Sequence, residues 1–391
     1  MPFSAIKALC AVLCGYVAAT TWANAEDGVG ADRILFGQAA VLEGQTAALG
    51  RGMKAGLDAA FTEVNRAGAS NARRLELKSI DDGYEPNKSV AAVKTLLHED
   101  RVFALVGAVG TPTAAAIQPI ASAAGVPFIG AFTGAEFLRE PYQPLIVNVR
   151  ASYFQETEAM VAHLTNDLGV AKIAVMYQDD AFGQAGLAGV KRALDKRNMQ
   201  LLGEGTFLRN TIAVKGALLA VRKAQPDAVI MIAPYKPAAE FIKLARQIKF
   251  NPIFVNISFV GSDALAEELG PAGAGVVVTQ VVPFPQETAI PVVARYQAAL
   301  KSSDPAAVPG FVSLEGYLVG RTIAAALARM GGEPSRRGFI NAISMGGPIE
   351  LDGFRLVYGP NNNHGSDQVF LTVIEPDGRF KPVTRLTKPP S

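Results

Sequence analysis

Three threonines on two loops stand where backbone N–H groups would be free. Gly110-Thr111-Pro112-Thr113 follows the apolar run Val102–Ala108 and opens a helical stretch. Phe132-Thr133-Gly134-Ala135 follows the apolar run Val126–Ala131 in the same way. The first N–H groups of a helix have no intrahelical acceptor, and the helix dipole favours negative charge there. With the hydroxyls of Thr111 and Thr113 added, that chemistry suits a carboxylate. The plain alternative is that these threonines cap their helices and do nothing else. Further along, Phe182 follows Asp179-Asp180-Ala181, Tyr235 follows Ala228–Ala233, and Ser258-Phe259 follows Ile253–Asn256. Together with Phe284 they would wall a small apolar ligand, with simple packing as the alternative.

Catalytic chemistry finds less support. The three histidines, His98, His163 and His364, fall on separate elements, and none has a second His or Cys at metal-ligand spacing. Gly-x-Ser-x-Gly, His-Glu-x-x-His and a phosphate loop are all missing from the sequence. Gly107-Ala108-Val109-Gly110 lacks the third glycine of a dinucleotide loop. Asp81-Asp82 and Asp179-Asp180 are carboxylate pairs at strand ends, where capping and solvated loop roles compete with acid–base work. No catalytic site, metal or cofactor is expected.

The elements that must position these residues alternate regularly. Arg33–Ala39, Arg74–Ile80, Val102–Ala108, Val126–Ala131 and Ile146–Val149 read as strands. Helical stretches Arg51–Arg66, Pro86–Glu99 and Thr113–Ala124 lie between them. In the first helix, Met53, Leu57, Ala60, Phe61 and Val64 recur at three- and four-residue spacing. A second series begins with the helix Phe154–Leu168 and continues through Lys172–Tyr177, Gly186–Lys196, Gln200–Phe207, Ile212–Ala224, Ala228–Ala233, Pro237–Lys249, Ile253–Asn256 and Gly275–Val282. Continuous apolar strands separated by helices imply doubly wound parallel α/β sheets. After Pro283-Phe284-Pro285, helices Pro291–Ser302 and Phe311–Gly331 and strands Gly353–Tyr358, Gln368–Ile374 and Arg379–Arg385 follow, so the chain crosses between its halves more than once.

Met1–Ala25 carries Lys7, a short apolar run from Ala8 and the ending Ala23-Asn24-Ala25, the pattern of a secretory signal cut before Glu26. Its loss removes Cys10 and Cys14, so the exported chain forms no disulfide, and a periplasmic location follows. The net charge of +2 for 391 residues carries no basic excess for a nucleic-acid partner.

At these residues the chain resembles the periplasmic binding proteins of the leucine/isoleucine/valine-binding type, which feed branched-chain amino acid ABC importers. The ordered set runs from Ile34-Leu35-Phe36-Gly37 through Leu42-Glu43-Gly44-Gln45, Leu49-Gly50, Gly56, Asn65-Arg66-Ala67-Gly68, Asp81-Asp82 with Pro86, Val106-Gly107, Gly125-Val126-Pro127 and Ala181-Phe182-Gly183 to Gly275-Val276. The resemblance implies a type I periplasmic binding fold, two lobes joined by a three-crossover hinge that close on a ligand. Lobe 1 would be residues 26–149 plus 283–358, and lobe 2 residues 150–282 plus 359–391. Thr111 and Thr133 match the positions that hold the ligand carboxylate, with Thr113 and Phe132 beside them. Leu49 and Phe284 match the side-chain pocket, and Phe182 and Tyr235 match aromatic positions on the second lobe. The family acid that pairs with an α-ammonium aligns with Ser258, and Tyr84 and Gly110 stand where the family has a cystine pair.

A serine cannot neutralise a buried ammonium. An acid with an apolar or aromatic body but no amine therefore fits better than an ordinary amino acid, which stays open if Asp180, Glu315 or another acid reaches the pocket. The implied protein is a monomer whose partners are a carboxylate-bearing small molecule and a membrane permease. A sensor of the same fold and a secreted α/β enzyme are the alternatives.

Overall fold

The computed structural model describes residues 26–68 and 73–387. The expected signal segment lies outside the described residues. Five parallel strands form the first sheet, in the order β2-β1-β3-β4-β5. They are β1 (Arg33–Ala40), β2 (Arg74–Asp81), β3 (Ala104–Val106), β4 (Phe128–Ile129) and β5 (Ile146–Val147). The central strands are buried on both faces, which explains their unbroken apolar runs. Helices α1 (Ala47–Arg66), α2 (Pro86–His98) and α3 (Thr111–Ala123) connect them.

The second sheet has seven strands in the order β14-β13-β10-β9-β8-β6-β7. Its parallel part is β6 (Ile173–Gln178), β7 (Gly203–Phe207), β8 (Ala228–Ile232), β9 (Ile253–Asn256) and β10 (Val277–Gln280). Strands β13 (Phe370–Ile374) and β14 (Phe380–Val383) add to it antiparallel. Helices α4 (Tyr153–Leu168), α5 (Ala181–Asp195), α6 (Lys215–Lys223), α7 (Tyr235–Gln247) and α8 (Ser262–Leu269) belong with this sheet.

The chain crosses between the two bodies three times: from β5 into α4, from β10 into α9 (Pro291–Ser303) and α10 (Phe311–Arg329), and back into β13. After the second crossing α10 packs along α1 of the first body. Its length and apolar composition would let it cross a membrane, and its burial against α1 accounts for that composition. Glycines make the contact close: a Cβ on Gly56 would stand 2.0 Å from the Ser313 carbonyl oxygen, and one on Gly316 would stand 2.3 Å from that of Met53. Between α10 and β13 lie α11 (Arg336–Ser344) and the hairpin β11 (Ile349–Glu350) with β12 (Arg355–Leu356).

Several boundaries differ from the sequence expectation, and the differences bear on the site. Helices α3, α5 and α7 start at Thr111, Ala181 and Tyr235, earlier than the periodicity predicts. Thr111, Phe182 and Tyr235 therefore sit on first helical turns. In α5 the cause is Gly183, whose place leaves no room for a side chain: a Cβ there would meet the Gln178 carbonyl oxygen at 1.8 Å. Low helix propensity marks these glycines as loop in sequence, and tight helix–strand packing overrides it. Helices α8 and α11 and strand β11 are additions, and the expected strand Gly353–Tyr358 shrinks to β12.

Candidate functional site

The C-terminal ends of β3 and β4 lie side by side, joined beyond the strands by a bridge between Val109 and Phe132. That pairing brings together the two threonine loops. Thr111 Oγ1 and Thr133 Oγ1 are hydrogen-bonded at 2.7 Å, and both side chains are buried. Thr133 also donates to the Tyr153 hydroxyl at 3.3 Å, which ties the pair to the first turn of α4. Thr113 takes the plain alternative. Its hydroxyl donates back to the Val109 and Gly110 carbonyls, as a helical threonine commonly does.

Aromatic rings from both lobes meet beside this pair. Phe259, in a 3-10 turn after β9, has its ring centroid 4.4 Å from Phe182, 5.3 Å from Phe132 and 6.1 Å from Tyr84. Phe182 in turn lies 5.6 Å from Tyr153. Leu49 and Tyr235 flank Gly261: a Cβ at that glycine would stand 2.4 Å from Leu49 Cδ2 and 3.6 Å from Tyr235 Cδ1. Leu49, Gly261 and Val312 line a cavity of about 200 Å³ between the lobes. Phe284 is not brought to the threonines. It packs against Phe311 and faces a separate groove of about 870 Å³ shared with Phe380 and Asp263.

Ser258 is held in a buried charged network that its sequence neighbours do not announce. Its backbone N–H and hydroxyl both donate to Glu156, each at 2.9 Å. Thr279 donates to the same carboxylate at 2.6 Å and Arg150 at 3.1 Å. Arg150 also donates to the Ser258 hydroxyl and lies 3.5 Å from Glu315. Burial works against the Arg150 charge, but Glu315 and Glu156 outweigh it and hold the guanidinium above its ordinary pKa. Burial pushes Glu315 up to about 7 although Arg150 opposes the shift. An acid does therefore stand beside Ser258, delivered by α4, and Arg150 already neutralises it.

Arg150, Tyr153, Glu156 and Thr279 are the site residues that sequence reasoning missed. The available signal was an arginine closing an apolar strand, with a glutamate inside the first turns of the next helix.

The mouth of the cleft is tied by polar contacts. Gln178 donates to the Tyr84 hydroxyl at 3.2 Å, and Asn210 donates to Glu85 at 2.7 Å and to the Gly83 carbonyl at 3.1 Å. Arg209 spans from Asp180 to Glu85, 3.0 Å from each. Because Arg209 is partly exposed, Arg209→Ala is expected to cost the closed form only about 0.5–1 kcal/mol. Calorimetry should read that as a two- to fivefold loss of ligand affinity, and an unchanged affinity would take this tie out of the closing mechanism. Tyr84 and Gly110 do meet: a Cβ on Gly110, whose φ is 107°, would stand 2.2 Å from the Tyr84 ring.

Three of the four paired carboxylates hold local backbone or side-chain partners. Asp81 accepts from the backbone of Leu42 and Glu43, Asp82 accepts from Tyr84 and Ser89, and Asp180 caps α5 through the Phe182 N–H. Among the described residues no cluster of three His, Cys, Asp or Glu side chains is arranged to hold a metal.

Residues 34–379 match the family of periplasmic binding proteins. A solved structure described as a possible leucine/isoleucine/valine-binding protein, from Rhodopirellula baltica, is 37% identical, with a TM-score of 0.87 over 93% of this chain and 98% of that one. A substrate-binding periplasmic protein from Ralstonia solanacearum is 26% identical, with a TM-score of 0.84 over 89% of this chain and 99% of its own. An amino acid binding protein from Pseudomonas aeruginosa is 25% identical over 241 residues, which are 61% of this chain and 63% of that protein. The chain thus spans less than two thirds of the length of the curated relatives it matches.

Proposed function

Because the chain belongs to the periplasmic binding protein family, we propose that it is the solute-capturing component of an ABC importer. The solute is a small carboxylate-bearing molecule, amino acid-like or an apolar or aromatic acid, and it leaves the protein chemically unaltered. The lobes are residues 26–149 with 283–358 and residues 150–282 with 359–391. The protein works in the periplasm as a monomer, and a membrane permease reads its closed form.

One observation carries this reading: the buried Thr111–Thr133 hydroxyl pair, at the ends of neighbouring strands, stands beside a ring cluster to which both lobes contribute. The start of α3 offers backbone donors to a carboxylate, and the Thr111 hydroxyl joins them by turning from Thr133. Phe132, Phe182 and Phe259 would cover the apolar body. Ligand contacts made by both lobes at once exist only in the closed form, so binding itself drives closure.

A thermal-shift screen of amino acids, aliphatic acids and aromatic acids tests the proposal. A solute at a hundred times its dissociation constant adds about 2.7 kcal/mol of stability, and a screen in which no acid or amino acid raises the transition would contradict it. Thr111→Val keeps the side-chain shape and deletes the hydroxyl. It is expected to weaken the bound acid by about 1.5–3 kcal/mol, the range for a hydrogen bond to a charged group. Equal affinity of the variant and the parent would remove Thr111 from the site.

A further inference from the structure

We propose that Arg150 is a ligand-contacting residue, offering its Nη1 hydrogens to the solute carboxylate, and that Glu315 competes with the solute for this guanidinium. The inference rests on the carboxylate-binding reading above and narrows it to acids without an α-ammonium.

Arg150 stands at the first crossing between the lobes and is 1% exposed. Its Nη2 is committed to Glu156 and Ser258. Its Nε and Nη1 have no hydrogen-bond acceptor. Glu315 lies 3.5 Å from Nη1, close enough for attraction but without a hydrogen bond. Leaving buried N–H groups of a charged side chain unsatisfied is costly, and a charged N–H donor is a strong partner for a carboxylate. The guanidinium carbon lies 4.9 Å from the centroid of the Phe132 ring and 5.9 Å from that of Tyr153. Phe132 precedes Thr133, and the Tyr153 hydroxyl accepts from Thr133, so the unused donors and the threonine pair share the same neighbours.

The acids nearby leave little for an ammonium. Glu156 already accepts from Arg150, from the Ser258 N–H and hydroxyl, and from Thr279. Those four donors fill the roughly four acceptor sites of a carboxylate. Asp180 is taken by Gln178, the Phe182 N–H and Arg209. Glu315 remains, and it faces a cation.

The charged groups acting on Glu315 are Arg150, Glu156 and Arg139, while α1 places Met53 and Gly56 against this stretch of α10. With its pKa near 7, raised by burial, Glu315 is largely neutral at pH 6 and leaves Arg150 to the solute. At pH 8 it ionises and competes. Acid affinity should therefore fall with rising pH, approaching about tenfold per unit above pH 7, with one proton taken up on binding.

Calorimetry with phenylacetate and 4-methylpentanoate, against phenylalanine and leucine, at pH 6 and pH 8 tests this. The expected result is that the acids bind, that they bind more weakly at pH 8, and that the amino acids do not compete. Glu315→Gln should abolish the pH dependence. Arg150→Lys, checked for folding by circular dichroism, should weaken the acids by tenfold or more. Amino acids binding in preference to the acids would overturn the inference while leaving solute capture intact. Acid binding that is equal at both pH values, or indifferent to Arg150→Lys, would overturn it as well. If none of the four binds, the inference and the carboxylate reading fall together.

Discussion

Glu156→Ala is expected to destabilise the protein by about 3–5 kcal/mol, the cost of stranding a buried cation. Glu156 is fully buried, and Arg150 is 1% exposed, so solvent cannot screen the loss. The substitution also deprives the Ser258 N–H and hydroxyl and the Thr279 hydroxyl of their acceptor. Glu315, 3.5 Å away, would take over part of the neutralisation, and its pKa should drop as Glu156, a like charge, is removed. The second half of the test is a double variant. Replacing both partners with apolar groups, as in Arg150→Met with Glu156→Leu, should cost much less than removing Glu156 alone, because no charge remains buried. Denaturant melts of the three chains decide it. A Glu156→Ala cost below about 1 kcal/mol would mean that the network is not the buried charge cluster described.

The second large effect lies at the α1–α10 contact, where sequence gives no hint of which glycine matters. A Cβ on Gly56 would stand 2.0 Å from the Ser313 carbonyl oxygen and 2.5 Å from the Tyr317 nitrogen, both backbone atoms of a buried helix. A carbonyl in a helix cannot step aside, so Gly56→Ala must push two helices apart, at a cost of about 3 kcal/mol or more. Gly52, one turn earlier, meets Val312 Cγ1 at 2.9 Å and Cβ at 3.0 Å, while the nearest backbone atom, the Ser313 nitrogen, stands back at 3.7 Å. There the gain in helix propensity, about 1 kcal/mol, offsets part of the crowding, and Gly52→Ala should cost clearly less than Gly56→Ala. Equal melting temperatures for the two variants would refute the distinction between backbone and side-chain neighbours.

Much of the fold could be read from residue order because its signals are local. Apolar runs such as Val102–Val106 read as strands covered on both faces, and their alternation with amphipathic helices points to a parallel topology. The convergence of Thr111 and Thr133 was legible for a related reason: strand ends in a doubly wound sheet point to one edge. Phe284 was not, because Pro283-Phe284-Pro285 lies on a crossing whose path depends on packing elsewhere. Thr113 looked like Thr111 in sequence, yet its hydroxyl turns back to its own helix, a choice made by one rotamer. Arg150 and Glu156 were hidden for another reason. They face each other across the start of α4, with partners 102 and 123 residues from Glu156, and no periodicity encodes such a meeting.

Lobe closure around an acid can be watched directly. In a chain with Cys10 and Cys14 replaced by serine, spin labels at Asn87→Cys and Ile212→Cys flank the Glu85–Arg209 tie from opposite sides of the cleft. Pulsed dipolar spectroscopy would then report the width of the mouth. The account predicts a population of longer distances without solute that collapses to one short distance when phenylacetate binds. A distance distribution unchanged by a bound acid would contradict it.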